Sequence, residues 1–173
     1  MIKYKVGDVL NQTYDGPVLI CHIIGNSNAF GAGMAAAVAR KYPEVKRAYD
    51  SWYDDTIFPC DIRNADVPFM LGEIQPIQVS DNVYVVNMLA QSRAGGSTFY
   101  IGREKVWLRP IRLDSLRECL YNVAVLAKQM NAKVVGNMFG SALAGGQWDS
   151  EIAPIVEDCL CRFGIDVTIY SLT

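Results

Sequence analysis

The sequence contains a single histidine, His22, and no grouping of cysteine, histidine and carboxylate residues at metal-ligand spacing. Of the five cysteines, only Cys159 and Cys161 stand close together, and one such pair is half of the tetrahedral shell that structural zinc requires. An odd cysteine count in a chain of 173 residues also argues against a disulfide framework, so the thiols are read as packed side chains, and neither a metal nor a cofactor is expected. No apolar run approaches the roughly 20 residues that span a bilayer. Met1-Ile2-Lys3-Tyr4-Lys5 begins an alternation rather than the apolar stretch of a signal peptide, so a cytoplasmic protein without membrane contact is expected. With 16 basic and 18 acidic residues there is no overall basic field, and nucleic acid is not an expected partner. Repeats, low-complexity tracts and linkers are absent as well. Residues 1–173 therefore read as a single domain, and 51% hydrophobic residues supply its core.

Two glycine-rich turns stand out in what is present. Gly31-Ala32-Gly33 and Gly140-Ser141-Ala142-Leu143-Ala144-Gly145-Gly146 each follow an apolar, strand-like run and each open onto a helix-like run. Small residues at such a junction let backbone N–H groups approach a ligand, and the helix that follows adds the positive end of its dipole. Neither turn is a Walker loop, since no Gly-Lys-Ser/Thr follows, and neither is a complete G-x-G-x-x-G with an acidic residue downstream. Two anion-binding turns in one small chain suit a diphosphate.

The order of elements frames those turns. Ile2–Val6 alternates like a strand, Pro17–Ile24 reads as a buried strand, and Ala32–Arg40 and Pro43–Tyr53 read as helices. Residues 54–68 read as a loop, Phe69–Val79 and Val83–Met88 as strands around Ser80-Asp81-Asn82, and the glycine-containing stretch 91–106 as a flexible rim. Leu116, Leu120, Val123, Ala127 and Met130 repeat at helical spacing behind Asp114, a candidate N-cap, and Lys133–Gly136 reads as a short strand. A last helix starts near Ser150, which keeps Pro154 in its first turn, and ends at Gly164 before the strand Ile165–Tyr170. This alternation predicts an α/β fold with a mixed, largely parallel sheet between helices and a ligand at the carboxyl ends of its strands.

The run Val18-Leu19-Ile20-Cys21-His22-Ile23-Ile24-Gly25-Asn26-Ser27-Asn28-Ala29-Phe30-Gly31-Ala32-Gly33-Met34-Ala35, continued by Ala39-Arg40-Lys41-Tyr42-Pro43, resembles the first ligand loop and helix of macrodomains, which bind ADP-ribose. Gly140–Gly146 with Gln147-Trp148-Asp149, and the closing Thr168-Ile169-Tyr170-Ser171-Leu172, resemble that family's second loop, last helix and last strand. Gly7-Asp8-Val9 fits its adenine-side acid, and the three parts occur in the family's order over essentially the whole chain. The resemblance implies a three-layer α/β/α macrodomain. It also implies ligand contacts from Asp8, Val9, Asn28, Gly31, Ala32, Gly33, Met34, Ser141, Ala142, Leu143, Ala144, Gly145 and Gly146, with ADP-ribose or ADP-ribose 1″-phosphate as the partner.

The branch of the family follows from what is missing. Where one branch places an asparagine–aspartate pair this chain has Gly25 and Ala35, and where another places a lysine and an aspartate it has a residue near Ala90 or Gln91 and Ala144. The chain is instead similar to the ADP-ribose 1″-phosphate phosphatase branch, in which His22 matches the acting histidine and Asp81 falls near an acid. The resemblance thus implies hydrolysis of ADP-ribose 1″-phosphate with His22 and Asp81 as catalytic residues. The alternatives are a non-catalytic ADP-ribose reader, an ADP-ribosyl hydrolase, and a binder of a related signal nucleotide. A small residue at each turn is needed in all of them, because a branched Cβ would hold phosphate oxygens away from the backbone donors.

Overall fold

A computed structural model describes residues 1–28, 30–57, 68–93 and 96–173. Eight strands and four α-helices follow one another as β1 (Lys3–Val6), β2 (Val18–Gly25), α1 (Gly33–Lys41), α2 (Pro43–Ile57), β3 (Ile74–Ser80), β4 (Val83–Gln91), β5 (Ser97–Ile101), β6 (Glu104–Leu108), α3 (Leu113–Met130), β7 (Lys133–Gly136), α4 (Ala153–Cys159) and β8 (Val167–Ser171). Six strands form one sheet in the order β1-β8-β7-β2-β4-β3, parallel throughout except that β3 runs antiparallel to β4. This is the mixed, largely parallel sheet expected.

Period-two alternation along β2 and β4 sends side chains to two separate cores. Leu19, Cys21, Val86 and Met88 pack with Leu116, Leu120 and Val123 of α3 and Ile155, Val156 and Cys159 of α4. Val18, Ile20, Ile24, Val85 and Leu89 pack on the other face with Val38 of α1 and Val45, Tyr49 and Trp52 of α2. β2 is buried on both faces, which is why its sequence is a nearly continuous apolar run rather than an alternating one. The result is three layers, helices over both sides of the sheet. Among the described residues, no helix is long and apolar enough to cross a membrane.

Several local readings differ from the sequence expectation, among them the strand read over Phe69–Val79, which begins only at Ile74. Helix α2 continues to Ile57, so residues 54–57 are helical, and the rest of the expected loop lies largely outside the described residues. The expected rim at 91–106 holds the end of β4 and a two-stranded antiparallel hairpin, β5 and β6. Its side chains Phe99, Tyr100, Ile101, Trp107 and Leu108 are exposed, so no burial pattern marks it. Helix α3 begins at Leu113 with Arg112 at the cap position, which moves Asp114 into the first turn, where its charge favours the helix dipole. Before α4, residues Trp148–Ile152 form a wide π turn, and Pro154 sits in the first turn of α4, as its missing N–H requires.

Candidate ligand cleft

The parallel strands direct their carboxyl ends to one edge of the sheet, and a cleft of about 800 Å³ opens there. Two loops form its walls. The first runs from the end of β2 to α1. Tyr49 of α2, fully buried, buckles this loop from beneath, donating to the Gly25 carbonyl at 2.7 Å. Phe30 is buried between the His22 and Tyr49 rings, at centroid distances of 5.6 and 5.0 Å. Helix α1 then starts with no side-chain cap at Ala32. Its first N–H groups have no intrahelical acceptor and lie along residues 31–35, which line the cleft.

The second loop follows β7 and contains a 3₁₀ turn, Ala142–Ala144, also without a side-chain cap. Ala142 stands at φ 61°, a left-handed conformation that alanine rarely adopts, between Gly140 and Gly145 at φ 76° and 81°. The surroundings hold that shape. Ile111 donates its backbone N–H to the Ala144 carbonyl at 3.0 Å, and Gly146 donates to Gly140 at 2.8 Å. Arg109 forks onto Glu151 with bonds of 2.7 and 2.8 Å while also donating to the Gly145 carbonyl at 3.2 Å. Glu151 in turn accepts from the Gln147 backbone at 2.8 Å, and Arg109 holds its carboxyl below the usual carboxylate range. Leu143, exposed at the tip, reaches toward Gly33 of the first loop, whose Cβ position would lie 3.9 Å from it.

Asp8 follows β1 at one end of the cleft. One of its oxygens accepts from the Leu10 backbone N–H at 2.9 Å, capping the 3₁₀ turn Val9–Asn11, and the other accepts from the Asn11 amide at 2.9 Å. Lys41, on the last turn of α1, donates to the Leu10 carbonyl and so ties this turn to the first helix. Gln91, at the end of β4, marks the other end. Because β8, β7 and β2 lie between β1 and β4, the order along the cleft is Asp8, the two loops, Gln91.

With this geometry the relatives can be placed. No family model and no curated protein matches the chain. Among solved structures, a macrodomain protein from Streptomyces coelicolor is 30% identical, covering 99% of both chains with a TM-score of 0.77. The chain belongs to the macrodomain family. A Bacteroides thetaiotaomicron protein of unknown function is 29% identical over 98% of this macrodomain and 97% of its own length, with a TM-score of 0.82. Thermosipho africanus DarTG, solved in complex with ADP-ribose, shares the fold at 14% identity over 90% of this chain and 38% of its own, with a TM-score of 0.64.

The macrodomain brings together ten of the residues singled out from sequence: Asp8, Val9, Gly31, Ala32, Gly33, Met34, Ser141, Ala142, Leu143 and Ala144 all line the cleft. Five stand elsewhere. Asn28 is exposed within the first loop with φ 54° and is not among the residues that line the cleft. Gly145 and Gly146 are turn glycines: a Cβ on Gly145 would lie 3.0 Å from Arg109, and one on Gly146 would lie 2.5 Å from the Gly140 carbonyl oxygen. Ser141 lines the cleft but gives its hydroxyl hydrogen to the Met138 carbonyl.

His22 and Asp81 are not brought together. Asp81 is exposed in the β3–β4 turn, and Val83 just after it pairs with Val18, so Asp81 lies at the amino-terminal end of β2, opposite the cleft. His22 is 1% exposed, faces the core with Phe30, and bonds through Nε2 to Asn87 Oδ1 at 2.5 Å. Burial lowers its pKa from 6.5 to about 4, against the Asn87 bond, which raises it. Sequence reasoning did not single out Arg40, Gln91 or Asn137 as lining residues, whereas Gly140, which also lines the cleft, belongs to the second glycine-rich turn read from the sequence. Asn137 carried one usable signal, a polar residue immediately after a buried strand.

Proposed function

We propose that this macrodomain binds ADP-ribose, the adenine toward Asp8, the diphosphate across the two loops and the distal ribose toward Gln91. The observation that carries the reading is the pair of uncapped turns, at Gly33 and Ala142, facing one cleft from opposite walls. A diphosphate there meets backbone N–H donors from both sides. Each charge-assisted bond is worth roughly 1.5–3 kcal/mol, and four or five of them leave micromolar affinity after the entropic costs of binding. The Thermosipho africanus DarTG complex with ADP-ribose, a protein of the same fold, supports this choice of ligand.

The reading is of a binding module. The described lining holds two charged side chains, Asp8 and Arg40, and no histidine. Hydrolysis of ADP-ribose 1″-phosphate is the second reading, and one observation favours it: His22 Nδ1 is buried with no hydrogen-bond partner among the described residues. Titration calorimetry with ADP-ribose at neutral pH tests the first reading, with micromolar binding expected and absence of binding overturning it. Incubation with ADP-ribose 1″-phosphate tests the second. Phosphate release at the buffer rate is expected, and release that His22→Gln abolishes would make the protein a phosphatase.

A further inference from the structure

Strands β5 and β6 stand outside the main sheet and pair only with each other among the described residues. Their connection is the two-residue turn Gly102-Arg103, with Gly102 at φ 62° and Ile101 paired to Glu104 across it, the arrangement of a tight hairpin with glycine at its first turn position. The Ser92 N–H donates to the Pro110 carbonyl at 2.8 Å and Gln91 bridges to Ile111, which fastens the base of the hairpin to the domain. Beyond that base the ribbon is uncovered. Phe99, Ile101 and Leu108 are exposed on one of its faces, and Tyr100 and Trp107 on the other. A two-stranded ribbon is marginal in water by itself, and one with apolar side chains exposed on both faces gains by being extended into a larger sheet.

The two outer edges of this ribbon differ. The closing pair of a two-residue hairpin exchanges its backbone bonds, so the N–H and C=O groups of Ile101 and Phe99 face β6 while those of Thr98 and Tyr100 face away from it. Among the described residues nothing in the backbone pairs with that outer edge. On β6 the edge carries Glu104 and Lys105 and runs directly into Arg109, which is fastened to Glu151 and Gly145 of the second loop. Charge of this kind guards an edge strand against pairing. β5, Ser97–Ile101, has no charged residue, no proline and no bulge, and Thr98, Phe99, Tyr100 and Ile101 are all β-branched or aromatic. It is an unguarded edge.

We propose that a second copy of this chain covers the hairpin: two β5 strands pair antiparallel about a two-fold axis at Phe99, giving a continuous sheet β6-β5-β5-β6. The register follows from the outward backbone groups. Thr98 and Tyr100 flank Phe99, so a two-fold axis between them sets Thr98 of each copy against Tyr100 of the other, and each such pair exchanges both of its backbone bonds. Phe99 then meets its own copy as a non-hydrogen-bonded pair, the closer kind, where aromatic side chains pack across strands. No charge opposes a charge anywhere in this register. The contact uses the same patch on both copies and closes at a dimer, and the charged β6 strands become the outer edges that stop further growth.

Sedimentation equilibrium over a concentration series tests the edge without any use of ADP-ribose, so its outcome is separate from that of ligand binding. Expected is a reversible monomer–dimer equilibrium. Phe99→Lys brings two like charges together at the axis and should raise the dimer dissociation constant at least about tenfold, while the dilute variant melts as the dilute wild type does. Phe99→Cys checks the register: its Cα would lie about 4.5 Å from its copy, within the span of a disulfide. Mild oxidation should therefore cross-link that variant rapidly, and should cross-link Thr98→Cys, off the axis and on the other face, no faster than wild type. A single monomeric species up to about 1 mM would overturn the proposal. So would a dimer that Phe99→Lys leaves intact, or one in which Phe99→Cys fails to cross-link. Protection of the β5 amides from hydrogen exchange by an acidic peptide or by single-stranded DNA, in a protein that stays monomeric, would overturn it as well and give the edge to that partner. The wild-type concentration series decides alone if a variant does not fold.

Discussion

Asp8 carries two roles that a single truncation would confuse. Its carboxylate caps the turn Val9–Asn11 and also lines the adenine end of the proposed site. Asp8→Asn keeps an acceptor for the Leu10 N–H and removes the charge. It should lose ADP-ribose affinity by about 1.5–3 kcal/mol, the scale of one bond to a charged group, with a small change in stability. Calorimetry against ADP-ribose and its inosine analogue checks this, since equal losses for both would make Asp8 purely structural. Gly31 gives a cleaner probe of the diphosphate. It lines the cleft, a Cβ built there meets nothing within 4 Å, and its backbone is outside the left-handed region. Gly31→Val should therefore weaken ADP-ribose at least about tenfold, the loss of roughly one charge-assisted bond, while the melting curve stays unchanged. Full affinity in that variant would remove the first loop from the site.

At the scale of elements, the second loop depends on a strap outside the cleft. Arg109, just beyond β6, joins Gly145 to Glu151, and Glu151 joins Gln147. Glu151→Ala removes the bonds to Arg109 and to Gln147, leaving only the Arg109–Gly145 link, without touching the cleft lining. Hydrogen exchange at Gln147 should accelerate, and ADP-ribose affinity should fall several-fold; unchanged exchange would show that the backbone bonds at Ile111 and Gly146 hold the loop alone. The sequence carries these elements unevenly. β2, β4, β7 and α3 were legible because burial on one or both faces writes itself as an apolar run or a helical period. The hairpin β5–β6 was not, because its apolar side chains face solvent and no packing partner imposes a pattern. The site was legible where chemistry needs small residues, at Gly31–Gly33 and Ser141–Ala144. Depth was not, and His22 shows it: the residue type suited proton transfer, but the ring is buried and is not among the residues that line the cleft. Asp81 failed for a related reason, since distance along the chain does not reveal which end of a parallel strand a turn occupies.

For the whole molecule, His22 writes a signature into acid stability. Its pKa falls from 6.5 to about 4 on folding, so between those values the unfolded chain holds a proton that the native state refuses. Stability from this group is therefore complete above pH 6.5 and is lost as pH falls toward 4, by about 3 kcal/mol in total. Urea denaturation from pH 7.5 to 4 should show that decline, and His22→Gln should flatten it. An equal decline in the variant would assign the loss to carboxylates such as Glu151 and Asp158, whose pKa values are lowered by their arginine partners.

Ala142 has a consequence for the tempo of binding. An alanine at φ 61° costs roughly 1–2 kcal/mol relative to its relaxed backbone, a cost met when the chain folds, before any ligand arrives. The donors of the second wall are thus already aligned at encounter. Capture should proceed in one step, with an observed rate that climbs linearly with ligand concentration, and differences in affinity among ligands should reside in how slowly they leave. Ala142→Gly would relax the backbone and restore its choice of shapes. It should leave the fold near its original stability, while association acquires a plateau set by how often the loop revisits the binding shape.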